Sequence, residues 1–223
     1  MLLLVKSFKM TYVTIDFSLN SPGICIYHNN KYTFFSYLKP KSGTKKEQAL
    51  QEDISKLSDV IFIEQPDFKN NLEYSSAELA KINRYIKTSS DIINKIKETS
   101  KGSTDYIFAF EGTSFGSKQG TNNIIDMAAG AAILKMKIIE EFNPNTIETI
   151  APSTIKKHAG KGNMNKLQLW EKFLVNILED PALDASPFFN FCKNEIGETK
   201  RIPKPFDDLV DAYFLNHLVK SIN

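Results

Sequence analysis

The sequence has few of the residues that bind zinc or act as thiol nucleophiles. Of its 223 residues, two are cysteines and three are histidines. Cys25 and Cys192 are far apart and have no partner at the spacing of a metal site, and neither has the context of a catalytic thiol. We therefore expect two reduced, buried or half-buried cysteines that take no part in the chemistry.

Long hydrophobic runs are also missing. No apolar run approaches the roughly 18 residues that a membrane span needs. The apolar run before Lys6 is shorter than the roughly 7 to 15 residues of a signal-peptide core. We therefore expect an intracellular, cytoplasmic protein without a membrane partner.

A chain of 223 residues with 42% hydrophobic and 24% charged residues suits a single α/β domain over residues 1–223.

Arginine is scarce, because only Arg84 and Arg201 among the 28 basic residues are arginines. Arginine reads guanine edges with two hydrogen bonds, whereas lysine is a point charge suited to phosphates. A nucleic-acid partner would then be recognised more by its backbone and shape than by its base edges. An AT-rich coding sequence, which favours lysine codons, explains the same ratio equally well.

Apolar runs and turn residues predict the order of the elements. Strands are predicted at residues 11–17, 23–27, 31–38, 60–64, 107–111 and 146–150, of which the first three form an antiparallel meander. Helices are predicted at residues 75–99, in an Ala/Gly-rich segment that runs to residue 142, and at 205–221. Residues 39–74 and 178–204 are predicted insertions.

Two strands carry acids at positions that call for an explanation. Asp16 is the only charge in the first strand, where aspartate is disfavoured, although it could simply cap the turn at residues 18–22. Glu111 ends an apolar strand, and the carboxyl end of a buried strand is where α/β sheets place their chemistry. Glu64 ends another strand and competes with Glu111 for the same role.

The last predicted helix begins with further acids. Asp208 and Asp211 are three residues apart and so lie on one helical face. The helix dipole also favours acids in a first turn, which is the alternative explanation. Four carboxylates on three elements repel one another unless divalent cations neutralise them. Oxygen ligands without histidine or cysteine suit Mg²⁺ or Mn²⁺.

A flexible segment at residues 156–166 contains four lysines and two glycines. Glycines allow close backbone approach and lysines supply charge, so the segment is either a phosphate-binding loop or a solvated surface loop. Its lysines are Lys156, Lys157, Lys161 and Lys166. His158 in the same segment is expected to be incidental.

Four blocks of the sequence resemble the RuvC-like Holliday junction resolvases of the RNase H superfamily. In chain order they are TIDFSLNSPGICIY, FAFEGTSFG through AAGAAIL, APSTIKKHAGKGNMNK and DDLVDAYFLNH. Together they cover roughly half of the chain. The glutamate strand of that family follows a long amphipathic helix and leads into an Ala/Gly-rich helix, which favours Glu111 over Glu64. A phage or viral-type member is one option that the resemblance leaves open.

The resemblance implies an RNase H-like α/β fold, with a mixed five-stranded sheet flanked by helices on both faces. It implies a homodimer that cleaves branched DNA with two Mg²⁺ (or Mn²⁺) ions per active site, in DNA recombination and repair. The matching site residues are the acids Asp16, Glu111, Asp208 and Asp211, with Lys166 as a basic active-site residue. Lys156 is a looser match, and Phe115 lies near the position of an aromatic residue that engages the junction. Lys157 and Lys161 belong to the same lysine-rich segment and are predicted to bind DNA as well.

Other functions remain open at this point. An RNase H-like nuclease that acts on flaps or RNA:DNA hybrids would need the same acids. A non-catalytic nucleic-acid-binding module of the same fold is disfavoured because the set of acids is intact. A sugar-kinase or actin-like ATPase also begins with an aspartate in a strand, but it needs two such domains.

Overall fold

A computed structural model describes residues 10–38, 44–64, 73–112, 121–176 and 178–223. One mixed sheet has the strand order β4-β3-β2-β1-β5-β6. Its strands are β1 (Met10–Asp16), β2 (Gly23–His28), β3 (Lys31–Leu38), β4 (Val60–Glu64), β5 (Asp105–Glu111) and β6 (Thr146–Ile150). The helices are α1 (Lys45–Ile54), α2 (Tyr74–Thr99), α3 (Thr121–Phe142), α4 (Pro152–Ala159), α5 (Lys166–Leu174), α6 (Pro181–Asp184), α7 (Pro187–Phe191) and α8 (Phe206–Ile222). None of these helices combines the length and the apolar character that a membrane span requires.

The sheet has six strands rather than the predicted five. The additional strand is β4, which pairs in parallel with β3 from Phe34↔Val60 to Leu38↔Glu64. Alternate residues of β4 pack into the cores on the two sides of the sheet, so the strand is held from both faces. Part of the predicted insertion at residues 39–74 therefore belongs to the central sheet.

The central strand β1 separates two hydrophobic cores. It is antiparallel to β2 and parallel to β5. Val13 and Ile15 point into the core under α2 and α3, which is built with Ile92 and Leu134. The intervening Thr14 points to the other face, where its hydroxyl donates to the Ala212 carbonyl of α8 over 2.7 Å. This alternation confirms helices on both faces of the sheet.

Helix α8 packs closely on the sheet because the residues beneath it are small. Thr14 pairs with Cys25 on β2 and with Ala109 on β5, which gives a row of small side chains across three strands. All three are completely buried, as is Ala212 of α8. The same helix is fastened to the sheet by the side-chain amide of Asn216, which donates to the carbonyls of Tyr12 and Cys25 over 3.2 Å.

Helix α2, which the sequence predicts at residues 75–99, is buried over only part of its length. Ile92, Ile93 and Ile96 are 0 to 4% exposed, whereas Leu79 and Ile82 are 61% and 45% exposed. The carboxyl-terminal part of α2 covers the sheet. The amino-terminal part leaves apolar side chains partly exposed.

Residues 178–204, which the sequence predicts as an irregular insertion, contain the short helices α6 and α7 and a π-helical turn (Cys192–Ile196). Asp59 accepts hydrogen bonds from the Ser186 hydroxyl and from the Phe188 amide, at 2.5 and 3.0 Å. Phe188 and Phe189 are buried. This segment therefore contributes to the core on the α8 side of the sheet.

Candidate active site

Strand register places Asp16 and Glu111 next to each other. Ile15 pairs with Phe110, so Asp16 and Glu111 are the next residues at the carboxyl ends of two parallel, adjacent strands. Side chains alternate along a strand, and Asp16 follows Thr14 on the face that α8 covers. Glu111 follows Ala109 on that same face. Both carboxylates therefore point toward the beginning of α8.

Helix α8 brings its acids to the same end of the sheet. Its first turns carry Asp207, Asp208 and Asp211, and Asp208 lies against Gly23, the β2 partner of Asp16. Carboxylate oxygens of Asp16, Glu111 and Asp211 all lie within 4.8 Å of one another. Three acids from three separate elements thus form one cluster, which we call the acid cluster.

Burial and mutual repulsion raise the pKa values of the acid cluster. Burial, followed by the charges of Glu111, Asp208 and Asp211, raises the pKa of Asp16 well above its usual value. Burial and the charge of Asp211 raise the pKa of Glu111 to about 7. Burial raises the pKa of Asp211 to about 6, against the opposing effect of Lys166. Such a cluster has a strong affinity for positive charge at neutral pH.

Two lysines face the acids of α8. The Lys166 ammonium group lies 2.7 Å from Asp207 and 3.6 Å from both Asp208 and Asp211. The Lys204 ammonium group lies 2.6 Å from Asp208 and 3.0 Å from Asp207. Burial lowers the pKa of each lysine, but the neighbouring carboxylates outweigh it and raise both pKa values. Both lysines therefore remain charged beside the acid cluster.

Asp208, the fourth predicted acid, lies beside the acid cluster rather than within it. Its Oδ1 and Oδ2 accept from Lys204 at 2.6 and 2.8 Å, and its Oδ2 also accepts from the Ser21 hydroxyl at 2.8 Å. In the turn after β1, the Ser18 hydroxyl accepts a hydrogen bond from the backbone amide of Ser21. Ser18, rather than Asp16, thus caps this amide of the turn.

Lys204, Asp207 and Ser21 were not among the site residues predicted from the sequence. Lys204 precedes α8, so helical spacing does not apply to it, and no sequence pattern shows that its ammonium group contacts Asp208. Asp207 is only 8% exposed, and its Oδ1 has no hydrogen-bond partner within the described parts of the chain. No sequence pattern links Ser21 to Asp208, because the two residues are 187 positions apart.

The acids open onto a cleft of about 570 Å³ between α3, α4 and α8. Four lysines line it: Lys135, Lys156, Lys166 and Lys204. Of the other predicted DNA-binding residues, Lys157 and Lys161 are exposed at positions outside this lining. Phe115 lies outside the described residues. The cleft therefore combines a carboxylate floor with ammonium groups, an arrangement that can hold divalent cations and a phosphate together.

Glu64, the competing glutamate, lies elsewhere. It is the last residue of the outermost strand β4, with β3, β2 and β1 between it and β5. Its side chain is exposed. The strand order therefore separates Glu64 from the acid cluster and leaves Glu111 beside Asp16.

Comparison with known proteins gives matches only at the level of three-dimensional structure. No family model matches the chain, and no curated protein does. Thermus thermophilus RuvC matches with a TM-score of 0.50 and 10% identity over 96% of both chains. The same protein in complex with a Holliday junction substrate has a TM-score of 0.46 and 9% identity over 96% of both chains. The yeast mitochondrial Holliday junction resolvase Ydc2 has a TM-score of 0.48 and 11% identity, over 92% of this chain and 75% of that chain.

The mixed sheet, its parallel β1–β5 pair and the helices on both faces agree with the match to RuvC. The predicted fold class is therefore confirmed, and the chain has the RuvC-type RNase H-like fold.

Proposed function

We propose that the protein is a metal-dependent, structure-selective endodeoxyribonuclease that resolves or debranches four-way DNA junctions. The observation that carries this proposal is the acid cluster of Asp16, Glu111 and Asp211, whose oxygens lie within 4.8 Å of one another in a lysine-lined cleft. The four sequence blocks that resemble the RuvC-like resolvases support the choice of branched DNA. The single RNase H-like domain would carry the whole activity.

The acid cluster fits a divalent metal centre. Its donors are carboxylate oxygens alone, which suit Mg²⁺ or Mn²⁺. Burial, together with the neighbouring carboxylates, raises the pKa values of Glu111 and Asp211, and a bound divalent cation would lower them again. We propose two ions per active site, and such ions would activate water and neutralise charge on the scissile phosphate.

Within this site the residues have distinct roles. Asp16 lies in the acid cluster and experiences the charges of Glu111, Asp208 and Asp211 at once, so it would be a central ligand of the metal centre. Glu111 and Asp211 would complete the ligand set, and Asp208 of α8 would join it. Lys166 faces the same acids and would stabilise the charge that develops on the phosphate.

The DNA would enter along α4 and the loop that follows it. Lys156 lines the cleft, and Lys157 and Lys161 extend the positive charge from it along the exposed surface. These residues would contact the sugar-phosphate backbone, and such contacts determine the affinity for DNA and its dependence on salt. Phe115 remains a predicted contact with the junction.

We propose a homodimer that uses the exposed apolar seam of α3. This seam consists of Ile125, Ala129, Ala132, Met136 and Ile139, which are all exposed. Their alternating spacing of four and three residues is the pattern of helices that pack side by side. A junction contains two strands to be cut in a symmetrical way, and a twofold dimer supplies two active sites. The exposed Leu79 and Ile82 of the neighbouring α2 would widen the interface.

The dimer can be tested by the sedimentation of two variants. Met136→Glu places a charge in the seam and should yield a monomer. Val175→Glu is the matched control, because Val175 is also an exposed apolar residue, at 67%, but lies at the end of α5. A Met136→Glu protein that sediments like the wild type would exclude this interface.

The activity is tested by incubation of the purified protein with a synthetic four-way junction, a linear duplex, a flap and an RNA:DNA hybrid. Cleavage of the junction in Mg²⁺, with no cleavage in EDTA, is the expected result. Preferred cleavage of the flap or the hybrid would support the alternative RNase H-like nuclease. Metal-independent binding without cleavage of any substrate would support a non-catalytic module.

A further inference from the structure

The turn between β1 and β2 connects the acid cluster to three helices. It begins directly after Asp16 and ends at Gly23, which pairs with Asp16 across the strands. Phe17 and Leu19 pack under α3, where a Cβ added to Gly130 would lie 2.8 Å from the Phe17 ring. The turn therefore has little freedom to move relative to the strand that carries Asp16.

On the α8 side, the turn contacts Asp208 through Ser21. The Ser21 hydroxyl donates to Asp208 Oδ2 over 2.8 Å, while the Ser21 amide donates to the Ser18 hydroxyl over 2.9 Å. A neutral hydroxyl stabilises one orientation of a carboxylate without competing with a cation for its charge. Lys204, by contrast, carries a positive charge and would repel a cation that approaches Asp208.

On the opposite side, Arg84 of α2 holds the tip of the turn. One guanidinium nitrogen donates to the Leu19 carbonyl over 2.9 Å and to the Asn20 side-chain oxygen over 2.5 Å. Arg84 is one of only two arginines in the chain. Both N–H bonds of that nitrogen lie in the guanidinium plane and point in fixed directions, whereas the N–H bonds of a lysine ammonium group rotate freely.

Building on the proposed function, we propose that Ser21 and Arg84 are positioning residues for the metal centre. Arg84 fixes the tip of the turn, and the turn presents the Ser21 hydroxyl, which orients Asp208 toward the acid cluster. Neither residue contacts the reacting atoms in this scheme. Partners that orient a metal ligand in this way typically change metal affinity by about 10- to 100-fold when they are removed.

The test is the affinity of the DNA-free protein for Mn²⁺, measured by calorimetry. Ser21→Ala should weaken Mn²⁺ binding by about tenfold or more. Ser21→Thr retains the hydroxyl and should bind Mn²⁺ nearly as tightly as the wild type. Arg84→Gln should weaken binding in the same direction by a smaller factor. The Mg²⁺ concentration for half-maximal cleavage should rise in parallel.

Two controls separate positioning from folding. Ser90→Ala removes a hydroxyl that is bonded only locally, to the Ile86 carbonyl of α2, and should leave Mn²⁺ affinity unchanged. Arg201→Gln removes the other arginine, whose side chain is 87% exposed, and should also have no effect. Ser21→Ala should retain a Tm within about 4 °C of the wild type, as expected for the loss of one hydrogen bond in a domain of this size.

Wild-type Mn²⁺ affinity in Ser21→Ala would overturn the positioning role, even if the nuclease activity is real. Conversely, weaker Mn²⁺ binding in Ser21→Ala would uphold the positioning role even if no nucleic acid were cleaved. The two proposals can therefore fail separately.

Discussion

The backbone of Asp208 lies directly on Gly23. A Cβ added to Gly23 would lie 2.1 Å from the Asp208 carbonyl oxygen and 2.5 Å from its carbonyl carbon. Gly23 is also the β2 partner of Asp16. This contact therefore sets how closely α8, which carries Asp208 and Asp211, approaches β2 beside Asp16.

We predict that Gly23→Ala both destabilises the protein and abolishes metal-dependent cleavage. The methyl group would overlap backbone atoms and force α8 away from the sheet, which typically costs about 1 to 3 kcal/mol of unfolding free energy. Denaturant unfolding and junction cleavage are the measurements. Gly112→Ala is the stability control, because its Cβ would lie 3.4 Å or more from its neighbours. Equal stability of the two variants would contradict this account of the packing.

We predict that Asp16→Asn abolishes cleavage but leaves junction binding intact or tighter. The substitution removes the carboxylate that experiences the other three acids and reduces the repulsion of the phosphate backbone. Cleavage and gel-shift assays in Mg²⁺ test the two effects separately. Near-normal cleavage by Asp16→Asn would remove Asp16 from the metal centre.

The metal-free protein should lose stability as the pH rises from about 4 to about 7. The folded-state pKa values of Glu111, about 7, and Asp211, about 6, lie above the ordinary values of about 4.3 and 3.9. The folded state therefore binds more protons than the unfolded state in this range, and the free energy of unfolding must fall with increasing pH.

Urea unfolding in EDTA at pH 5 and pH 7.5 measures this effect. Glu111→Gln should show a smaller difference between the two pH values than the wild type, because it removes one of the titrating groups. Mg²⁺ should stabilise the wild type more at pH 7.5 than at pH 5, since protons compete with the metal for the carboxylates. An identical pH dependence in wild type and Glu111→Gln would contradict the raised pKa.

Glu111→Gln should lose metal-dependent cleavage, whereas Glu64→Gln should keep most of it. Glu111 belongs to the acid cluster, and Glu64 is an exposed residue at the end of the edge strand β4. Both substitutions change one carboxylate into an amide at the end of a strand, so each serves as the control for the other. The reverse result would place the active site beside Glu64, at the edge of the sheet that β4 forms.

Lys166→Ala should lower turnover far more than DNA affinity. Lys166 lies within 3.6 Å of Asp208 and Asp211, whereas Lys45 is an exposed residue at the start of α1. Lys45→Ala should therefore reduce affinity and its salt dependence without a specific loss of turnover. Single-turnover cleavage and salt-dependent binding are measured for both variants. If Lys166→Ala lowered the cleavage rate and the DNA affinity equally, Lys166 would be only an electrostatic contact.

The elements that carry the acids could be predicted from the sequence because their signals are local. The apolar run that contains Asp16 and the one that ends in Glu111 predicted β1 and β5, and the helix with Asp208 and Asp211 was also predicted. Side chains alternate between the two faces of the sheet along β1 and β5, which explains why Asp16 and Glu111 lie on the same face.

The rest depends on contacts between distant parts of the chain. β4 was predicted as a strand within an insertion, and only its pairing with β3 makes it the sixth strand of the sheet. Ser21 was treated only as a turn residue, because its bond to Asp208 forms after the chain has folded. Leu79 and Ile82 are exposed although they share the helical periodicity of the buried Ile93 and Ile96, because periodicity alone does not show how far along a helix the sheet extends.

The position of α8 in the chain has a consequence for the timing of activity. Every strand precedes α8, and the contacts that dock it, such as that between Thr14 and Ala212, span 198 residues. Contacts of such long range form late, because closing a large loop costs entropy before the contact is gained. During synthesis, Asp16 and Glu111 leave the ribosome long before Asp211, so a nascent chain lacks the third carboxylate. A nuclease built in this way would acquire its cutting activity only in the final step of folding.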